Sequence, residues 1–260
     1  MTHPMAQLQE QCRSLRLAET AKELPTLLRQ AESNQWTYHE LMYEILRYEQ
    51  VCREEKMTAK LLKWARFPVH RTLDEFDLNE QRAISKKQFK QLKELLWLEQ
   101  QYNIILLGPP GVGKTHISIG LGLEAIEKGY QVMFIAMGEL VHLLKTKEFS
   151  RKSQTLYKRL IDSDLVIIDD MMHMAMDTKE ANLFFHLINE LYDKSSIILT
   201  SNKGPTEWGD LLGDQGITTA ILDRLLHRVE VINIDEDSWR MKHRTTIFDK
   251  TDVEAGGTKR

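Results

Sequence analysis

Cysteine is scarce in this chain. Cys12 and Cys52 are its only two in 260 residues, far apart and without C-x-x-C spacing. They suggest neither a disulfide framework nor a zinc site, and a reducing cytoplasm is the expected setting. No apolar stretch approaches the roughly 18 residues needed to cross a bilayer. The segment Met1 to Glu10 has neither a basic flank nor an apolar core, so no secretory leader is expected. What remains, 42% hydrophobic and 28% charged residues, is the composition of a globular protein. Its length suits one ordinary domain plus a small extra one.

The net charge of −3 hides local asymmetry. Lys145, Lys147, Arg151, Lys152, Lys158 and Arg159 lie in a stretch whose one acid is Glu148, and Arg82, Lys86, Lys87, Lys90 and Lys93 form a second cluster. Charge arranged this way permits nucleic-acid binding without a basic pI, although solvated helix faces share the pattern.

Residues up to Phe67 read as a helical domain. Leu8, Leu15, Leu17 and Leu24 mark one early amphipathic segment. Thr37 and Glu40 then form a capping box, with Trp36 positioned to staple onto Leu41. The helix that follows carries Leu41, Ile45, Tyr48, Cys52, Ala59 and Leu62 close to a heptad seam and is expected to end near Phe67-Pro68. Residues 68–80 lack a period and read as a connector, and a basic helix is expected over about 84–99. From there to about residue 250, short apolar runs alternate with amphipathic segments. Strands are expected near 103–107, 131–136, 165–169, 196–200 and 229–234, and helices near 114–128, 138–147, 178–193 and 218–227. Regular alternation of this kind predicts a parallel sheet covered on both faces. The tail 251–260 is expected to be disordered.

Four elements carry chemistry. Gly108-Pro109-Pro110-Gly111-Val112-Gly113-Lys114-Thr115 matches G-x-x-x-x-G-K-[ST] directly after the apolar run 104–107. A buried strand, a glycine-rich turn and a helix start at the lysine make a phosphate-binding loop. Lys114 would reach the β- and γ-phosphates of a nucleoside triphosphate, and the Thr115 hydroxyl would hold Mg²⁺. Next, Leu165-Val-Ile-Ile-Asp169-Asp170 delivers two carboxylates at a strand's C-terminal end, where open α/β sheets bind ligands. Asp169 suits Mg²⁺, and Asp170 the attacking water. Asn202, ending the run Ile197-Ile-Leu-Thr-Ser, would bond the γ-phosphate or orient that water. Last, Arg224 and Arg228 share a helix face before the final strand. An arginine here would serve either as a finger reaching a neighbouring subunit's phosphate or in a surface salt bridge, and spacing alone does not choose between the two.

Together these elements resemble an AAA+ P-loop ATPase. More narrowly, three segments resemble the IstB-type ATP-binding proteins of bacterial insertion sequences. They are Ala65-Arg-Phe-Pro68 with Thr72-Leu-Asp-Glu-Phe-Asp77, Gly113-Lys-Thr-His116, and Thr219-Ala-Ile-Leu-Asp-Arg-Leu-Leu-His227. The DnaC and DnaI helicase loaders share Gly-Lys-Thr-His and the Asp-Asp ending.

The resemblance covers about residues 5–247 and implies a sheet ordered 5-1-4-3-2. It implies ATP bound between subunits, His116 counted with the nucleotide residues, Arg224 as the finger and Arg228 as its alternate. It also implies an ATP-dependent oligomer on duplex DNA and a partner transposase of the IstA type. Lys145, Lys147, Arg151, Lys152 and Lys158 become DNA contacts by position. Two departures stand out. Asp170 occupies a position where many AAA+ proteins have glutamate, and too few residues follow the last strand for a four-helix lid, leaving Arg240 as a stand-in for the lid arginine. A helicase loader is the competing reading, and a metabolic P-loop kinase is disfavoured for want of an acceptor site.

Overall fold

A computed structural model describes residues 4–78, 84–171 and 176–234, without the side chains of residues 210 and 211. The chain divides into two compact units, residues 1–63 and 64–260. Arg82, Arg240 and the tail 251–260 lie outside the described residues.

The first unit contains α1 (Pro4–Ser14), α2 (Ala18–Ser33) and most of α3 (Tyr38–Ala65). The expected single early segment is two helices. Arg16 takes a left-handed backbone (φ 62°) between them, leaving Leu15 exposed and Leu24 buried. The Thr37–Glu40 capping box is present, with the Thr37 amide donating to Glu40 Oε2 at 2.7 Å and the Glu40 amide to Thr37 Oγ1 at 3.3 Å. The seam is half-buried as far as Cys52, but Ala59 is exposed. The helix runs for 28 residues, and α2 meets it through Glu19 and Thr20, near Ile45 and Glu49.

One buried carboxylate organises this unit. Glu49, 4% exposed, accepts from the Glu19 and Thr20 amides at 3.1 and 2.9 Å and from Arg53 Nε at 3.0 Å. It thereby satisfies orphan N–H groups at the positive end of α2.

The second unit continues with α4 (Lys86–Glu94), α5 (Leu96–Glu99), β1 (Asn103–Leu107), α6 (Lys114–Glu127), β2 (Val132–Ala136), α7 (Met137–Thr146) and α8 (Arg151–Ile161). After these come β3 (Leu165–Asp169), α9 (Thr178–Leu191), β4 (Ser196–Ser201), α10 (Trp208–Leu212), α11 (Gln215–Leu226) and β5 (Val229–Asn233). The strands form one parallel sheet in the order β2-β3-β4-β1-β5, the expected arrangement. Burial on both faces explains the apolar runs: β4 is buried along its whole length. One face packs Ile105, Met133, Val166, Ile168 and Leu199 against α7, α9 and α11. α6 covers the other face, where Gly122 lies against Ile167.

Three boundaries differ from the expectation. The basic helix breaks at buried Leu95 (φ 60°), giving α4 and α5. The long α3 stops at Ala65 because Arg66 turns left-handed (φ 58°) before Pro68 is reached. Finally, α8 is a separate helix within the basic segment, begun by Ser150, whose hydroxyl accepts from the Ser153 amide at 3.4 Å.

The connector belongs to the second unit, laid antiparallel along α6. A Cβ placed on Gly113, Gly120 or Gly122 would meet Phe76 at 2.8 Å, Leu73 at 2.4 Å and Phe67 at 2.7 Å respectively. Small residues at the start of α6 and along it thus admit Phe76 and Leu73 from the connector and Phe67 just before it. Leu73 is 2% exposed, and Phe67 meets Phe134 edge to face at 6.2 Å. Full burial of the Leu73 side chain contributes about 1.5–3 kcal/mol, and the half-buried phenylalanines less.

Burial by itself raises the Glu49 carboxyl, but the Thr20 donors and Arg53 outweigh it and hold it below the usual carboxylate range. Its stabilisation is therefore complete above the unfolded value, about 4.3, and is lost as pH falls through the folded one. Glu49→Gln is expected to cost about 1–3 kcal/mol locally. Amide exchange in the full-length protein checks this. Glu19 and Thr20 should lose protection in the variant at neutral pH, and in the parent only on acidification.

Candidate active site

The phosphate loop joins β1 to α6. Gly108, Gly111 and Gly113 have φ values of 148°, 88° and 100°, a backbone that side chains resist. A Cβ on Gly108 would also strike the Ile234 carbonyl oxygen at 2.2 Å. Val112, fully buried, pins the loop from beneath, while Pro109 and Pro110 are exposed. Turn amides of this kind and the start of α6 offer an anion N–H donors and a positive dipole end. Lys114 Nζ donates to the Gly108 and Pro109 carbonyls at 2.7 and 2.9 Å, which holds its charge over the loop.

The two carboxylates stand as the apolar run implied. Asp169 ends β3, and Thr115 Oγ1 donates to its two oxygens at 2.9 and 3.2 Å. Exposed Asp170 follows in a left-handed conformation (φ 59°). Asn202 is exposed just past β4, at the same end of the sheet, because β4 lies beside β1 and Gly108 N donates to Ser201 O at 3.2 Å.

A residue the sequence reading passed over ties these parts together. Thr200 is 1% exposed and donates through Oγ1 to Asp169 Oδ1 at 2.7 Å. The same oxygen accepts from the Asp170 amide at 2.8 Å, and the Thr200 carbonyl accepts from the Met171 amide at 2.9 Å. One threonine therefore orients the first acid and fixes the unusual backbone of the second. As a β-branched residue inside an apolar run, it had no signal beyond that of a strand.

A hydroxyl and a carboxylate at this spacing are hard oxygen donors of the kind that fit Mg²⁺. Thr115 and Asp169 would hold it. Among the described residues no cluster of three or more His, Cys, Asp or Glu could hold a metal ion. Phosphate and water would complete the coordination of a cation here, as is usual for Mg²⁺.

The His116 side chain turns to the connector. Its Nε2 lies 2.8 Å from the Thr72 carbonyl and its ring stands edge-on to Phe76 at 5.4 Å, so the ring braces the connector. Next to glycine-rich turns, sequence position says nothing about which way a side chain leaves the helix.

Arg224 and Arg228 lie at the opposite end of the sheet. Together with Asn103, Ser195 and Ile197 they line a recess where the strands begin. The Asn103 amide and side chain bond to the Arg228 and Leu225 carbonyls at 2.7 and 3.1 Å. The length of β1, about 13 Å, separates them from the phosphate loop of their own chain. Arg224 Nε donates to Asn189 Oδ1 at 2.8 Å, and its guanidinium sits over Phe185 at 4.9 Å. Arg228 is exposed, with one bond to the Gln100 carbonyl at 3.4 Å.

The basic segment divides into two sets. Arg151, Lys152 and Lys158 are exposed on α8. Lys145 pairs with Glu180 at 2.8 Å, and Lys147 lies over the Tyr157 ring at 4.0 Å, so neither simply faces solvent. A groove of about 540 Å³ runs between α7 and α8, with Arg66, His142, Lys152 and Arg159 among its lining.

A parallel sheet in this order, carrying a phosphate loop on its central region and paired acids on the next-but-one strand, defines an AAA+ P-loop ATPase. Solved structures show the same fold. AMPPCP-bound DnaA from Aquifex aeolicus aligns with TM-score 0.53 and 23% identity over 66% of this chain and 52% of its own. DnaI aligns with TM-score 0.54 and 17% identity over 63% and 90%.

The family is narrower than the fold. Residues 10–247 match the model of the IstB-like ATP binding protein, and the chain belongs to that family. An ATP-binding protein of insertion sequence IS21 in Pseudomonas aeruginosa is 39% identical over 88% of this chain and 87% of its own length. An IS21-like one in Bacteroides fragilis is 36% identical over 96% and 95%.

Thr200→Val keeps the shape and removes the hydroxyl. Turnover is expected to fall about 10–100-fold, and half-maximal Mg²⁺ to rise, with Mg²⁺-free nucleotide affinity unchanged. Thr200→Ser should restore both. Steady-state titration with Mg²⁺ is the check, and an unaltered Mg²⁺ dependence in the valine variant would remove Thr200 from the site.

Proposed function

We propose that this ATPase is a helper of insertion-sequence transposition. In this reading it binds ATP and Mg²⁺ between adjacent copies of itself, assembles on duplex DNA and presents a target site to a partner transposase. Membership of the IstB family over residues 10–247 carries the proposal, since the relatives' names place them in insertion sequences. Lys114 binds the β- and γ-phosphates. Bound Mg²⁺ supplies neutralisation of phosphate charge. Asp170 polarises the attacking water, and Asn202 orients it against the γ-phosphate.

Two features of the chain support the oligomer and the DNA. The separation of Arg224 and Arg228 from their own phosphate loop leaves a neighbouring subunit's nucleotide as the phosphate within their reach. Arg224 is the first choice, although release from Asn189 must precede its action. Exposed Arg151, Lys152 and Lys158 on α8 suit phosphate contacts, which position DNA without reading its bases. Lys145 and Lys147 join them by exchanging their present partners. The likeness to DnaI is one of fold, so the ATPase core does not separate this reading from a helicase loader.

Sedimentation with equal-length duplex and single-stranded DNA, each with and without ATP, separates the two. Large ATP-dependent complexes on duplex are expected, whereas preference for single strands would favour the loader. Arg224→Ala is expected to keep nucleotide affinity and lose about 10³-fold in turnover. Mixing it with Lys114→Ala should restore part of that turnover, because hybrid interfaces regain one complete site. A mixture no more active than its components would place the finger elsewhere.

A further inference from the structure

Phe149 occupies the tip of the turn between α7 and α8 and is 87% exposed. The turn is braced. The Phe149 and Ser150 amides both donate to the Thr146 carbonyl, at 3.0 and 3.1 Å. Below them, Thr146 Oγ1 donates to the His142 carbonyl at 2.8 Å and lies 2.8 Å from Ser153 Oγ, closing the base of the turn. A phenyl ring held outward on so constrained a turn contributes almost nothing to the core, so folding does not account for it.

Its surroundings point to a ligand. Lys147 stands two residues before it and exposed Arg151 and Lys152 follow, while Glu148 is the one acid between residues 145 and 159. Glu180, the acid paired with Lys145, reaches this segment from α9. Cations on both sides of an apolar ring complement a polyanion that also offers apolar faces. Duplex DNA is such a ligand, with phosphates outside and stacked bases between.

We propose that Phe149 is a wedge that enters a base step of duplex DNA while Lys147, Arg151 and Lys152 hold the adjacent phosphates. The inference rests on the reading that this chain binds duplex DNA. Side chains inserted in this way unstack one step and kink the duplex by about 20–90°. The cations provide most of the affinity and all of its salt dependence. The ring provides deformation, and with it a preference for sequences whose steps unstack easily.

Full-length protein with ATP and Mg²⁺ is tested on a duplex carrying energy-transfer dyes at its ends and a fluorescent adenine analogue within it. The parent should bring the ends together and brighten the analogue. Phe149→Ala, altering an exposed residue, should bind within about tenfold of the parent with the same salt slope, yet leave the duplex straight and the analogue quenched. Phe149→Trp should retain both signals. Arg151→Ala should instead lower the salt slope by about one and keep the bend. Bending by Phe149→Ala equal to the parent's overturns the wedge while leaving DNA binding intact. So does a variant whose sole defect is in stimulating a transposase, since the ring would then face protein. A parent that binds no duplex overturns this inference together with the reading beneath it.

Discussion

The arrangement of the site depends on one carboxylate. Asp169 receives Thr115 from the start of α6 and Thr200 from the end of β4, two segments far from it in sequence. Those bonds are possible because β4 lies between β3 and β1 in the sheet. On its other side β4 meets the phosphate loop, where Ser201 accepts the Gly108 amide. The central strand is thus the spacer that sets the distance between the loop for phosphate and the acid for the cation. Burial along all of β4 keeps that distance fixed.

The connector is a second layer of the same design. Phe76, Leu73 and Phe67 fill the spaces that Gly113, Gly120 and Gly122 leave along α6, and His116 bonds to Thr72 from the helix itself. The helix that begins at the phosphate lysine is held by the sheet on one side and by this strap on the other.

Much of this architecture was legible. Strands buried on both faces read as apolar runs, and the runs near 104, 165 and 197 each lead into the candidate site at one end of the sheet. Elsewhere the deciding physics was not local. Arg16, Arg66 and Leu95 break helices in a left-handed conformation that ordinary side chains give no sign of adopting. The strap has no period because it packs through single anchors rather than a repeating face. Thr200 reads as a strand residue until its neighbours are known, and Lys145 meets an acid thirty-five residues away. The phosphate loop was recognisable because its glycines answer to backbone geometry, whereas the direction of His116 answers to the strap.

Ile234 closes the described part of the ATPase unit. Its amide donates to the Leu107 carbonyl at 2.7 Å, and its own carbonyl lies where any side chain at position 108 would have to be. The polypeptide leaves the sheet directly against the floor of the phosphate loop. That junction works as a lever with almost no free travel. A displacement of Ile234 would be felt at the loop's first glycine, and a shift of that glycine would be felt at Ile234.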